Sequence, residues 1–299
     1  MTGQSGQADK GQSNAASEER GTFSLAEPSH ALPTDFLAYY GNVSIGRTPG
    51  FSKAQQLEKM QRDWDARARE NALYYVATGN AEWSDEEFYA SGEQAIAEDI
   101  LTDMTNICQG KDPKAMRVLE IGCGAGRLTR ALANVFGEVH AVDVSGEMIL
   151  RARKALAGHP NAHVYQNNGC DLTVVPPLTR GESRKAFWTP RWLARMAPPI
   201  WKIGFDFAYS NIVFQHIPSR EVIESYVSEV HRLLRPGALF KFQVQGYPLD
   251  PNDLHPDDTW TGVSFSEQEA CAMAERNHFE PRYRHGAGTQ NFWLWYFKE

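Results

Sequence analysis

The chain has 299 residues, a formal net charge of −7, and 42% hydrophobic and 11% aromatic residues. That size and apolar content allow one large α/β domain with an appendage and exclude a disordered polymer. The acidic balance argues against a broad nucleic-acid footprint, and no run approaches the ~20 apolar residues of a membrane span. The N-terminus lacks the apolar core of a secretory signal. Cys108, Cys123, Cys170 and Cys271 show no Cys-x-x-Cys spacing, so neither a zinc site nor a disulfide framework is expected. A reduced, cytoplasmic compartment is the plain reading.

Residues 1 to about 30 are rich in Gly, Gln, Ser, Ala and charge, and 1–50 are expected to be a largely disordered tail in which Phe36, Leu37, Tyr39 and Tyr40 suffice only for loose docking. Residues 51–112 read as a helical cap. Leu57, Met60, Trp64 and Ala68 share one face of its first helix, which Gly79-Asn80 stops. Ser84 with Glu87, and Ser91 with Gln94, have capping-box spacing and predict two further helix starts. From 113 to 299 strand and helix signals alternate, which implies a largely parallel sheet covered on both faces. Strands are predicted at 117–121, 139–144, 162–166, 205–213, 238–244, 281–285 and 292–297. Helices are predicted at 126–136, from Ser145, from Ser219 to Arg235 where Pro236-Gly237 follows, and from Ser266.

The first of these strands runs into Glu120-Ile121-Gly122-Cys123-Gly124-Ala125-Gly126. Alternate glycines let backbone N–H groups approach a bulky ligand without interference from a Cβ. A dinucleotide fingerprint would place its third glycine where Arg127 stands. The segment instead resembles the first motif of the class I S-adenosylmethionine-dependent methyltransferases. Asp143, 17 residues after Gly126, ends the second strand, where a carboxylate can accept both ribose hydroxyls. Asp143-Val144-Ser145-Gly146-Glu147-Met148 resembles the family's second motif, which implies ribose binding by Asp143 and adenine flanked by Val144 and Met148. Asn167-Asn168-Gly169-Cys170-Asp171 resembles the third, with Asp171 toward the adenine amine; the plain alternative is an Asx-turn. At the fourth strand end, the resemblance places Ser210 and Asn211 near the methionine moiety. It covers residues 115–246 well and thins beyond them.

The resemblance implies an α/β, doubly wound, Rossmann-like seven-stranded sheet whose last strand is antiparallel, with an N-terminal helical cap. It also implies S-adenosyl-L-methionine as cofactor and S-adenosyl-L-homocysteine as product. Trp64-Asp65-Ala66-Arg67-Ala68-Arg69 with Tyr74 and Tyr75 looks like the cap that folds over the cofactor. Tyr74 and Arg69 are the candidates there, an arginine being able to pair with the cofactor carboxylate; aromatic packing alone is the equal alternative. The resemblance makes His216, just past the fourth strand, a candidate general base, the role for which histidine as a residue type is suited; the alternative is a purely structural histidine. Gln215 is its neighbour in a candidate acceptor pocket.

One stretch, 173–204, does not fit the alternation. It carries Trp188, Trp192 and Trp201, and six Lys/Arg against Glu182 alone. A loop this long reads as a lid, with Trp188 and Trp192 walling the acceptor. The expected partner is a small-molecule methyl acceptor, with neither nucleic acid nor membrane; no metal is expected, and monomer and homodimer stay open. An NAD-dependent oxidoreductase and a cofactor-binding scaffold without turnover are the rival readings.

Overall fold

The computed structural model describes residues 52–176, 204–248 and 259–299. The expected tail lies outside them, as do Trp188, Trp192 and Trp201 of the insert. Seven strands form one sheet: β1 (Arg117–Ile121), β2 (Glu138–Asp143), β3 (Ala162–Gln166), β4 (Phe205–Ser210), β5 (Leu234–Val244), β6 (Phe279–His285) and β7 (Phe292–Lys298). Their order is β3-β2-β1-β4-β5-β7-β6. The first four neighbouring pairs are parallel. β7 is antiparallel to both β5 and β6, so the last strand of the chain slots inside the sheet and β6 forms the edge.

Successive side chains of a strand point to opposite faces, and the cores follow that alternation. Leu119, Phe240, Phe242 and Leu294 pack with α6 (Arg220–Leu233) and α7 (Glu267–Arg276) through Ile223, Val227 and Met273. Val118, Val139, Phe207 and Leu239 pack on the other face against α4 (Arg127–Val135), α3 (Met104–Cys108) and α2 (Asp85–Asp99), through Leu132, Ile107 and Ile96. Helix α5 (Gly146–Ala155) covers β2 with Ile149 and Ala152. Covering both faces is what an all-parallel core requires, because neither face can meet water.

Helix α1 (Lys53–Val76) starts at a capping box of Ser52 with Gln55, and α2 starts at the predicted box of Ser84 with Glu87. The second predicted box, Ser91 with Gln94, does not start a helix. Ser91 lies inside α2, its hydroxyl donates to the Phe88 carbonyl at 2.7 Å, and Gly92 packs against the Arg127 backbone. Local spacing there lost to tertiary packing. Within α1, Asn71 leaves helical geometry (φ −158°, ψ 84°). Its side chain accepts from the Tyr74 N–H at 3.1 Å, so it caps the last turns as a helix start of their own. Strand β4 stops at Ser210, three residues before the predicted end. Ile212 has φ 57°, and Phe214–His216 form a 3-10 turn. That turn swings His216 beneath the cap.

Candidate active site

The chain between β1 and α4 makes its turn with Gly122, Gly124 and Gly126 all at positive φ (76°, 51° and 87°). A side chain at Gly122 or Gly124 would also collide with Val213 or Val76. Glycine is therefore required twice over, by conformation and by space. Over this turn, at the carboxyl ends of β1, β2 and β4, lies a cavity of about 790 Å³. In an open parallel sheet that is where ligands sit.

Of the residues expected there, Glu120, Gly122, Gly124, Asp143, Val144, Met148, Asn211 and His216 line this one cavity. Gly126 is one step removed, as the cap of α4. Asp143 Oδ2 accepts from the Gly124 N–H at 2.8 Å and Oδ1 from the Ser145 N–H at 2.9 Å. The carboxylate thus braces the glycine turn and keeps spare lone pairs for a ligand. Burial pushes its pKa up to about 6, against the pull of those two N–H groups, and Asp65 adds to the rise. Burial likewise pushes Glu120 up to about 7, opposed by Arg127 and reinforced by Asp143. Glu120 Oε2 is buried without a hydrogen-bond partner among the described residues.

Arg127 faces the same cavity. Its terminal nitrogen donates to the Ser91 carbonyl and hydroxyl at 3.3 and 3.4 Å, while its buried Nε has no partner among the described residues. Sequence reasoning used Arg127 only as the break in a dinucleotide pattern. Its signal was a lone cation directly after the glycine turn, on the strand-end side.

Three expected ligands are placed elsewhere. Asp171 spends its carboxylate within its own loop, on the Thr173 hydroxyl (2.6 Å) and N–H (3.0 Å) and on the Asn168 amide. The Asn168 side chain accepts from the N–H groups of Cys170 and Asp171, which is the Asx-turn alternative. Arg69 is 58% exposed and pairs with Glu147 at 3.4 Å. Tyr74 stands edge-on to Tyr75 (5.2 Å between centroids), and Tyr75 is the one lining the cavity, with Met60, Trp64 and Val76. The restart of the helix at Asn71 shifts which aromatic faces inward. Trp188 and Trp192 lie outside the described residues.

His216 forms the far wall. Its ring packs on Trp64 (5.4 Å) and Trp260 (4.8 Å), and Arg67 lies over both indoles. Nδ1 meets the Trp260 carbonyl, so Nδ1 carries the proton and Nε2 accepts, from the Gln215 amide at 3.3 Å. Gln215 itself lines an adjoining cavity rather than this one. Away from the site, Glu138, His140 and His163 lie close enough to ligate an ion, but the Arg117 guanidinium already sits on Glu138 at 2.6 Å.

Comparison with known proteins agrees with this geometry. Residues 119–240 match a family model described as a methyltransferase domain. The chain is 28% identical over 126 residues to a malonyl-[acyl-carrier protein] O-methyltransferase of Enterobacter lignolyticus, covering 42% of this chain and 38% of that protein. It is 25% identical over 114 residues to the ribosomal RNA small subunit methyltransferase A of Geobacter sulfurreducens, covering 37% and 36%. The chain thus spans less than two fifths of the length of these curated relatives. The fold is similar to that of magnesium protoporphyrin IX methyltransferase from Synechocystis PCC 6803 with bound S-adenosylhomocysteine, with a TM-score of 0.54 and 14% identity over 82% of this chain and 100% of that one. Residues 119–240 thus match a methyltransferase domain, and the strand order is that of a fold similar to a known methyltransferase.

Proposed function

We propose that the chain transfers the methyl group of S-adenosylmethionine to a small-molecule acceptor. The observation that carries this reading is the convergence of Asp143, Glu120 and Arg127 on one cavity roofed by Trp64 and Tyr75. The residues fit the cofactor. Asp143 would accept the ribose hydroxyls, and Val144 and Met148 would enclose the adenine. The partnerless Glu120 Oε2 and Arg127 Nε are opposite charges suited to the ammonium and carboxylate of the methionine tail. When bound, the cofactor supplies an electrophilic methyl carbon on a sulfonium.

The rest is the work of the chain's own side chains. The cap and the His216 wall exclude water and align the acceptor, which matters more in an in-line displacement than acid–base chemistry. The cofactor would supply the methyl carbon and take the carbon–sulfur bond's electrons on sulfur, and an acceptor attacking through its lone pair would have a proton to lose. In this reading His216 Nε2 would take that proton after the Gln215 amide gives up its hydrogen bond to that nitrogen. A second reading, His216 as the hub holding Trp64 and Trp260 together, is favoured by the bonds at both ring nitrogens. In the first case His216→Asn lowers kcat and removes a titration from the kcat/KM profile; in the second it lowers the melting temperature and leaves the profile's shape unchanged.

The acceptor class rests on the charge of −7, which disfavours a polyanion. The relatives act on different acceptors, so they do not choose one. Equilibrium dialysis with labelled S-adenosylmethionine and with NADH tests the cofactor. Retention of NADH alone would return the chain to oxidoreductase chemistry, and retention of neither would remove the cavity's assignment.

A further inference from the structure

A second cavity of about 530 Å³ adjoins the first and shares Tyr75, Val76, Ile212 and His216 with it. Gln215, Gln245, Trp260 and Thr261 form much of the remaining wall. No Asp, Glu, Lys or Arg among the described residues lines it. Gln215 and Gln245 lie on its floor, and Gln245, just past the end of β5, shares a face with Gln243 two residues before it.

The amides of this floor are treated unequally. Gln243 Oε1 accepts from the Ile212 N–H at 3.2 Å, and its amide donates to Gln215 Oε1 at 2.9 Å and Asn291 Oδ1 at 2.6 Å. Gln215 in turn donates to His216. Gln245 is only 8% exposed, yet its Oε1 is buried without a hydrogen-bond partner among the described residues. Its backbone is held, because its carbonyl accepts from the Phe265 N–H at 2.8 Å. The residue lines the cavity, and its amide oxygen lacks what a buried acceptor needs.

We propose that this second cavity is the methyl-acceptor site, and that it takes an uncharged acceptor whose N–H or O–H donates to Gln245 Oε1. The inference rests on the cofactor filling the first cavity, for then Tyr75, Ile212 and His216 form the shared boundary across which the methyl passes. Among the described residues of this wall a carboxylate or phosphate would meet no cation, and would set its own oxygens against that of Gln245. An ammonium would meet no carboxylate among them. A wall that hydrogen-bonds a donor also discriminates more sharply than an apolar one, because an analogue lacking the donor leaves the amide stranded.

Benzamide and benzoate have the same shape, one an uncharged donor and the other an anion. Each is titrated calorimetrically into protein saturated with S-adenosylhomocysteine, for wild type and for Gln245→Met, which removes the amide at similar volume. Benzamide is expected to bind wild type about tenfold or more tighter than benzoate, and Gln245→Met to weaken benzamide about tenfold while S-adenosylhomocysteine affinity holds. Should that variant not fold, Gln245→Asn, which withdraws the amide by one methylene, is expected to show the same loss. Benzoate binding as tightly as benzamide, benzamide affinity indifferent to position 245, or no benzamide binding to the loaded protein overturns the proposal. Wild type that does not bind S-adenosylhomocysteine overturns the cofactor reading instead, so the two failures are distinguishable.

Discussion

The strands carry buried carboxylates at both ends, and the two ends handle them in opposite ways. At the amino end of β4, Asp206 takes Lys111, the Arg235 Nε at 2.7 Å and the Arg117 N–H at 3.0 Å. Burial opposes its ionisation, but these partners win and hold the carboxyl below its ordinary range. At the carboxyl ends of β1 and β2, Glu120 is as deeply buried and Asp143 partly so, with no lysine or arginine among the described residues bonded to either, and both are raised. At one end the carboxylate is paired within the protein. The other has polar capacity that only a ligand can use, and that asymmetry locates function more sharply than burial alone.

The largest effect is expected at the completed end. Asp206→Ala strands the Arg235 guanidinium, itself mostly buried, and should cost about 2–4 kcal/mol, below the usual figure for a broken buried pair because Lys111 is half exposed. A urea midpoint close to wild type would show the network to be dispensable.

The two ends should also respond oppositely to pH. Glu120 and Asp143 have folded pKa values above their ordinary ones, so the ligand-free protein binds more protons than the unfolded chain between about pH 4 and about pH 7. Their contribution to stability falls as pH rises through that window. Asp206 is depressed, so its contribution is present above the ordinary carboxylate range and is lost as pH falls through its lowered value. Glu120→Gln is then expected to stabilise the ligand-free protein by about 1–2 kcal/mol near pH 8 and to flatten the decline. Urea midpoints across the range measure this. A variant less stable than wild type near pH 8 would mean that Glu120 is already satisfied as an anion.

The smallest effect is expected where a charge serves neither end. Arg69→Ala removes an exposed pair with Glu147 and should change stability by no more than about 0.5 kcal/mol, leaving S-adenosylhomocysteine affinity untouched. A calorimetric loss of affinity would bring Arg69 back to the cofactor.

What was legible in the chain was what is local. The glycine turn, Asp143 at the end of its strand and the alternation of strands and helices each depend on residues close in sequence, and so did their reading. Asp171 was misplaced because Asn168 and Thr173 close its loop from within. Tyr74 was preferred to Tyr75 because the helix restart at Asn71 resets the helical phase, which an unbroken period cannot register. Gln245 and Trp260 line one cavity with His216 and Tyr75 from segments far apart in the chain, and no spacing rule relates them.

The central claim is that Asp143 awaits a ligand while Asp206 holds the fold. Isothermal titration of S-adenosylhomocysteine into wild type, Asp143→Ala and Asp206→Ala, each under conditions where it is folded, tests it directly. The account predicts that Asp143→Ala loses about 1.5–3 kcal/mol of binding free energy while Asp206→Ala binds as wild type does. Unchanged affinity in Asp143→Ala, or an equal loss in both variants, would contradict it.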